Sequence, residues 1–271
     1  MPHFTAPDGA RIYYDDTGQG APILMLSGLT RNSSDFDYVM PHLTRNRLIR
    51  MDYRGRGQSD FSGAETYTIP NEANDALALM DHLGLDKTAI LGTSRGGLIA
   101  MTQAIIAKPR LTAVALNDIG PVLEASGLDT IHQYIGRRPA QRTFQELAEA
   151  RATLMAGFDG VPHSRWMEEA HKHYRAENGR LEINYDPDLR KIFNSDPGPL
   201  PDLWPLFDAM SDLPLCTLRG ENSDILSAET LTEMQRRRPD MITAVVPDRG
   251  HVPFLDEPAA LGALHTWTEQ F

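Results

Sequence analysis

The sequence predicts an α/β fold: a mostly parallel central sheet with helices on both faces and a helical cap inserted after the sixth strand. Three observations predict it. Buried-type apolar runs alternate with helical patterns up to about residue 121, the alternation stops between about 122 and 205, and it resumes from there to the end. Strands in series with helices call for parallel pairing and crossover connections, and a purely helical interruption is most simply a cap on that frame.

Taken in order, "RIYYDDTG" follows the turn signal Asp8-Gly9 and reads as an antiparallel strand. "APILMLSG" and "RLIRMDYRG" are continuous apolar runs of the buried kind, with a helical "SSDFDYVMPHL" between them. "NEANDALALMDHLGL" places Ala73, Leu77, Met80 and Leu83 at helical spacing and stops at Gly84. "KTAILGT" is a strand, "SRGGLIAMTQAIIAKP" a helix ended by Pro109, and "LTAVALNDIGP" a further buried strand. In the interruption, "TFQELAEARATLMAGF" sets Phe144, Leu147, Leu154 and Met155 on one face, "HSRWMEEAHKHYRAE" is also helical, and no strand is expected. "LPLCTLRG" and "MITAVVPD" restore the strand pattern before a last helix in "PAALGALHTWTEQF". The expected division is a core of residues 1–121 and 206–271 and a cap of 122–205.

The 271 residues are 41% hydrophobic and 23% charged, enough apolar material for one sizeable core. A net charge of −11 argues against nucleic acid or an anionic membrane surface as partner, since both carry negative charge. Cys216 is the single cysteine and has no basic neighbour, so it reads as a core thiol. The first residues lack a basic segment followed by an apolar run, and no apolar stretch approaches membrane-spanning length, so the cytoplasm is the expected location. Nothing in the sequence sets the oligomeric state.

Chemistry concentrates at Gly92-Thr93-Ser94-Arg95-Gly96. A strand ending there and a helix beginning after it put Ser94 on a turn too tight for flanking side chains. Its hydroxyl needs a base. Of nine histidines, His251 in "VVPDRGHVPFLDEP" follows a strand and a glycine, in a loop able to reach back across the sheet edge. The other eight, in helices, in the cap or near the termini, read as solvated or structural. For the carboxylate behind the imidazole, Asp224 in "LRGENSDILS" has the expected place beyond a late strand, in the order Ser, Asp, His. Glu221 and, more weakly, Asp118 are alternatives. Two backbone amides should receive the oxyanion: Arg95 N–H, next after the serine, and Leu29 N–H in the turn after the first central strand, where Gly28 lets the backbone approach. The Arg95 guanidinium is expected in a structural ion pair, with Asp118 a candidate partner.

These segments together resemble the α/β-hydrolase superfamily. "SGLTRNSSDF" stands at the oxyanion turn, "MDYRGRGQSD" matches the D-x-R-G-x-G-x-S loop, "GTSRGG" the nucleophile turn, "RGENSD" the acid loop and "RGHVPFLDEP" the histidine loop. Ser27 is a departure, standing where the family commonly has His. The resemblance implies hydrolysis of a small-molecule carboxylic ester or lactone by Ser94, His251 and Asp224 through an acyl-enzyme, with no metal or organic cofactor. Serine as nucleophile disfavours the dehalogenases and epoxide hydrolases, which use Asp. Carbon–carbon bond hydrolases of ring-fission products also use serine, as do perhydrolases, and a slow-turnover ligand receptor is a reading from another class. Tyr134, Trp166, Tyr174, Trp204, Arg137 and Arg138 of the cap are candidates for lining the entrance.

Overall fold

The burial pattern along the strands decides the architecture. In the computed structural model, which describes residues 2–193 and 201–271, the inner strands are covered on both faces. They are β3 (Pro22–Leu26), β4 (Arg47–Met51), β5 (Thr88–Thr93), β6 (Leu111–Asn117) and β9 (Leu215–Gly220). Successive side chains point to opposite faces of a strand. Leu24, Leu26, Ile90, Val114 and Leu116 therefore enter one core, and Ile23, Met25, Ala89, Leu91, Ala113 and Ala115 the other. The first core is closed by α1 (Ile69–His82), α2 (Arg95–Ile106), α6 (Trp204–Asp208) and α7 (Ala228–Arg237), through Leu79, Ile99, Phe207 and Met234. The second is closed by α8 (Pro258–Thr268) with Leu264 and Trp267, together with Phe36 and Val39.

One eight-stranded sheet results, in the order β1-β2-β4-β3-β5-β6-β9-β10, with β1 (His3–Thr5), β2 (Arg11–Thr17) and β10 (Ile242–Val246) completing it. β1 and β2 pair antiparallel and β2 meets β4 antiparallel; every other pairing is parallel. The register brings Leu26 beside Gly92, Thr93 beside Asn117 and Asn117 beside Leu218. The residues just after these strands therefore meet along one carboxyl edge, where open α/β sheets place their sites. Cys216 is wholly buried in the second core, and burial pushes its thiol up to about 12.

Between β6 and β9 the chain forms α3 (Ala125–Tyr134), α4 (Phe144–Leu154) and α5 (His163–His173). The expected all-helical cap is corrected at this point. After His173 the chain forms an antiparallel hairpin, β7 (Tyr174–Glu177) with β8 (Arg180–Ile183). Its turn is Asn178-Gly179, with φ of 50° and 75°, the left-handed pair that a two-residue hairpin requires. Of the expected cap span 122–205, residues 194–200 lie outside the described residues. The single helix expected in "SSDFDYVMPHL" is instead two 3-10 turns, Ser33–Asp37 and Met40–His42. Pro41 explains the break, because its ring collides with the carbonyl four residues earlier in a continuous helix.

Candidate active site

Ser94 stands between β5 and α2 with φ 51° and ψ −113°, a conformation that a residue bearing a Cβ rarely adopts. Its neighbours show why the turn is written with glycine. A Cβ on Gly92 would come within 2.5 Å of the Gly96 carbonyl carbon, and one on Gly96 would overlap the Leu26 carbonyl. The Gly96 N–H donates to Ser27 O at 3.1 Å, so α2 starts tight against the turn that follows β3.

Ser94 Oγ lies 2.9 Å from His251 Nε2, and His251 Nδ1 lies 2.7 Å from Asp118 Oδ2. The geometry fits Nδ1 donating to the carboxylate while Nε2 faces the hydroxyl, an arrangement suited to general-base chemistry. The loop carrying His251 is tied down from β6: Asn117 Nδ2 donates to Pro253 O at 3.2 Å.

Asp224, the carboxylate expected behind the histidine, is therefore replaced there by Asp118. Strand order supplies the reason. β6 is the immediate neighbour of β5, so the residue after Asn117 sits one strand from Ser94, whereas Asp224 follows a strand two places away. The turn after β9 also folds on itself, its Ser223 Oγ accepting from Ile225 and Leu226 N–H. That turn supports Asp118 rather than competing with it. Ser223 Oγ donates to Asp118 Oδ2 at 2.7 Å and Gly220 N–H to Oδ1 at 2.8 Å. The Asp224 backbone carbonyl accepts from Ser126 Oγ of the cap. Glu221 accepts from Asp248 N–H, and Asp256 pairs with Arg165.

The turn that carries the expected oxyanion residue Leu29 lies beside the serine. A Cβ built on Gly28 would lie 3.8 Å from Ser94 Cβ, so the Gly28-Leu29 turn borders the nucleophile. Among the described residues, neither Leu29 N–H nor Arg95 N–H donates to a protein acceptor. The Arg95 guanidinium pairs not with Asp118 but with Glu72, Nε to Oε2 at 2.5 Å, and donates to Tyr67 O. Glu72 also holds Arg56 at 2.8 Å, and Arg56 Nε donates to Leu29 O at 2.9 Å. One buried carboxylate thus anchors Arg95, next to the serine, and Arg56, which holds the Leu29 carbonyl. Burial and the neighbouring Arg95 push the Arg56 guanidinium down, against the pull of Glu72. Glu72 is legible in retrospect: it sits four residues before Ala76 and seven before Leu79, a carboxylate on the buried stripe of its helix.

A second polar cluster, which the sequence reading did not single out, joins the turn after β3 to the cap. Arg31 reaches Asp35 at 2.7 Å and Glu169 at 3.0 Å, Tyr38 OH donates to Glu169, and His173 Nε2 lies 2.6 Å from Asp35. Burial opposes charge on Asp35 and Glu169, yet Arg31 and His173 outweigh it and hold both carboxyls below their ordinary range. Burial and then Arg31 push the His173 imidazole down. Of the candidate entrance residues, Trp166 packs against Phe158 of the cap and Phe254 of the histidine loop, and Trp204 meets Phe207 edge-on. Tyr174 packs near Ile183 and Tyr185, Arg138 pairs with Glu182, and Tyr134 faces Thr30 and Arg31. Among the described residues, no group of three or more His, Cys, Asp and Glu side chains is arranged to hold a metal ion, and no helix is long and apolar enough to cross a membrane.

The sheet order, the strained serine and the serine–histidine–aspartate chain define an α/β hydrolase. The chain belongs to that family, whose model, described as the α/β hydrolase fold, matches residues 21–258. It is similar to a 3-hydroxybutyrate-oligomer hydrolase of Cupriavidus necator, 33% identical over 93% of this chain and 90% of that one. A 2-(acetamidomethylene)succinate hydrolase of Mesorhizobium japonicum is 28% identical over 87% of this chain and 83% of its own. The crystal structure of an α/β hydrolase from Novosphingobium aromaticivorans superposes with a TM-score of 0.93 at 33% identity, covering 100% of this chain and 98% of that one.

Proposed function

We propose that this hydrolase cleaves a carboxylic ester of a small organic acid, open-chain or lactone, through an acyl-enzyme. Ser94 Oγ attacks the carbonyl carbon while His251 Nε2 takes its proton. The tetrahedral oxyanion is received by the Leu29 and Arg95 amides, and Asp118 holds the imidazolium. Collapse breaks the ester C–O bond, and His251 returns the proton to the leaving alkoxide. Water, deprotonated by the same imidazole, then attacks the acyl carbon and releases the acid and Ser94.

The observation that carries this reading is the unbroken hydrogen-bonded line from Ser94 through His251 to the buried Asp118. The similarity to a 3-hydroxybutyrate-oligomer hydrolase supports an oligoester as one substrate to try. The test is a panel of p-nitrophenyl esters, lactones, 3-hydroxybutyrate oligomers and a vinylogous diketone, run on wild type and Ser94→Ala. Ester turnover should fall by about 10⁴-fold or more in the variant, with the fold retained. Unchanged turnover in Ser94→Ala, or a wild type that prefers the diketone to every ester, would overturn the reading.

A further inference from the structure

We infer that the substrate ester carries a free carboxylate, and that Arg151 of the cap binds it above the oxyanion turn. This rests on the ester-hydrolase reading and narrows it to a class of substrate. Two arginines lie within electrostatic range of Glu169, and they differ in one respect. Arg31, whose stem borders Gly28 beside the serine, gives its Nε to Asp35 and its Nη2 to Glu169. The Arg151 side chain, in the last turn of α4, makes no hydrogen bond and no ion pair among the described residues, and its Nη1 is shut off from solvent. A guanidinium nitrogen removed from water without an acceptor is costly, and native proteins rarely keep one unless a partner arrives from outside.

The surroundings say where that partner would lie. Arg151 is within electrostatic range of Glu169 and of the Tyr134 hydroxyl. Tyr134 in turn meets the Thr30 side chain and feels Arg31, so it stands over the oxyanion turn. The residue is 46% exposed, yet desolvation raises its hydroxyl, the combination expected of a ring that walls a cleft. Five residues after Arg151 the cap packs onto the histidine loop, where a Cβ on Gly250 would meet Ala156 O at 2.8 Å. Arg151 is thus carried by the end of α4 that meets the histidine loop, on the side of Glu169 and Tyr134. Glu169 and Asp35 do not compete for it at close range, because their oxygens already accept from Arg31, Tyr38 and His173.

A planar fork with a free face suits a planar two-oxygen anion, and the Tyr134 hydroxyl offers a further donor. The ligand chemistry is thus an ester whose other end is a carboxylate: a linear oligoester of a hydroxy acid, or a half-ester of a dicarboxylic acid. On a chain of net charge −11 an anionic substrate needs such a local cation.

The experiment compares p-nitrophenyl hemisuccinate with neutral p-nitrophenyl butyrate, which share a leaving group and nearly a length. Wild type should favour the hemisuccinate in kcat/KM. Arg151→Gln should lower kcat/KM for the hemisuccinate by roughly 30-fold, mostly through KM, because a hydrogen bond between charged groups is lost. Butyrate turnover should stay within about twofold, which also reports that the variant is folded. Arg151→Lys should restore part of the hemisuccinate rate, having the charge without the fork. Equal effects of Arg151→Gln on the two esters, or an unchanged hemisuccinate rate, would overturn the inference. Both results are read with Ser94 intact, so neither is confused with failure of Ser94→Ala to abolish turnover.

Discussion

Asp118 is held by three donors, His251, Ser223 and the Gly220 amide, with none of its surface open to water. Its own backbone has φ 56°, a left-handed turn that swings the carboxylate across the sheet edge toward the imidazole. An asparagine there keeps the shape but cannot stabilise an imidazolium. Asp118→Asn should therefore lower kcat by about 10⁴-fold. Asp224→Asn should leave kcat within about twofold, since that side chain touches none of the reacting groups. Steady-state turnover of one p-nitrophenyl ester by both variants decides between the two carboxylates, and the opposite ranking would sink the assignment. Ser94 was legible because its turn can only be built with glycines on either side, so the steric demand is written in the residues. The aspartate was not. An Asp after a strand looks alike in "LNDIGP" and "RGENSD", and only the adjacency of β6 to β5 tells them apart.

Elements differ in how openly they announce themselves, and the glycines show the difference. Gly96 begins α2 directly against the Leu26 carbonyl, and that close approach lets β3, β5 and α2 meet at the serine. Gly96→Ala drives a methyl group into backbone that cannot move without opening the turn. It should cost about 1–3 kcal/mol of stability and most of the activity. Gly262 lies inside α8 with nothing within 4 Å of where a Cβ would stand. Gly262→Ala should add about 0.5–1 kcal/mol, because helix interiors disfavour glycine on entropic grounds alone. Urea midpoints of the two variants, moving in opposite directions, check both. The cap hairpin belongs to the same scale. Asn178-Gly179 is a strong hairpin signal, but the flanking "YRAE" and "RLEI" are short and charged, so helical periodicity from α5 masks it. The strands beneath the site were legible because burial on both faces makes them continuous apolar runs.

Cap and core are joined across the molecule by charge as well as by packing, and this makes their union sensitive to acid. Arg31, Asp35 and Tyr38 of the core meet Glu169 and His173 of α5, while Lys172 donates to Ser34 O and Arg165 of the cap pairs with Asp256 of the core. Asp35, Glu169 and Asp256 all have carboxyls lowered on folding, in each case against the effect of burial. The stability they contribute is complete above the ordinary carboxylate range and is lost as pH falls through and below about 4.5. His173 acts earlier. Its imidazole is pushed down by burial and by Arg31, so below about 6.5 the unfolded chain takes up a proton that the folded chain resists. Stability should accordingly decline in two stages on acidification, the first beginning near neutrality and the second in the carboxylate range. His173→Gln keeps a donor for Asp35 at the place of Nε2 and removes the titration. Its urea midpoint should stay level from pH 8 to about 5 and then fall with that of wild type. If the two proteins lose stability in parallel over pH 8 to 5, the histidine at the cap–core junction is not the group responsible. The same buried contacts hold Glu169, which lies within electrostatic range of Arg151. Loss of stability in the first stage should therefore be accompanied by a rising KM for an anionic ester, with the neutral ester little changed.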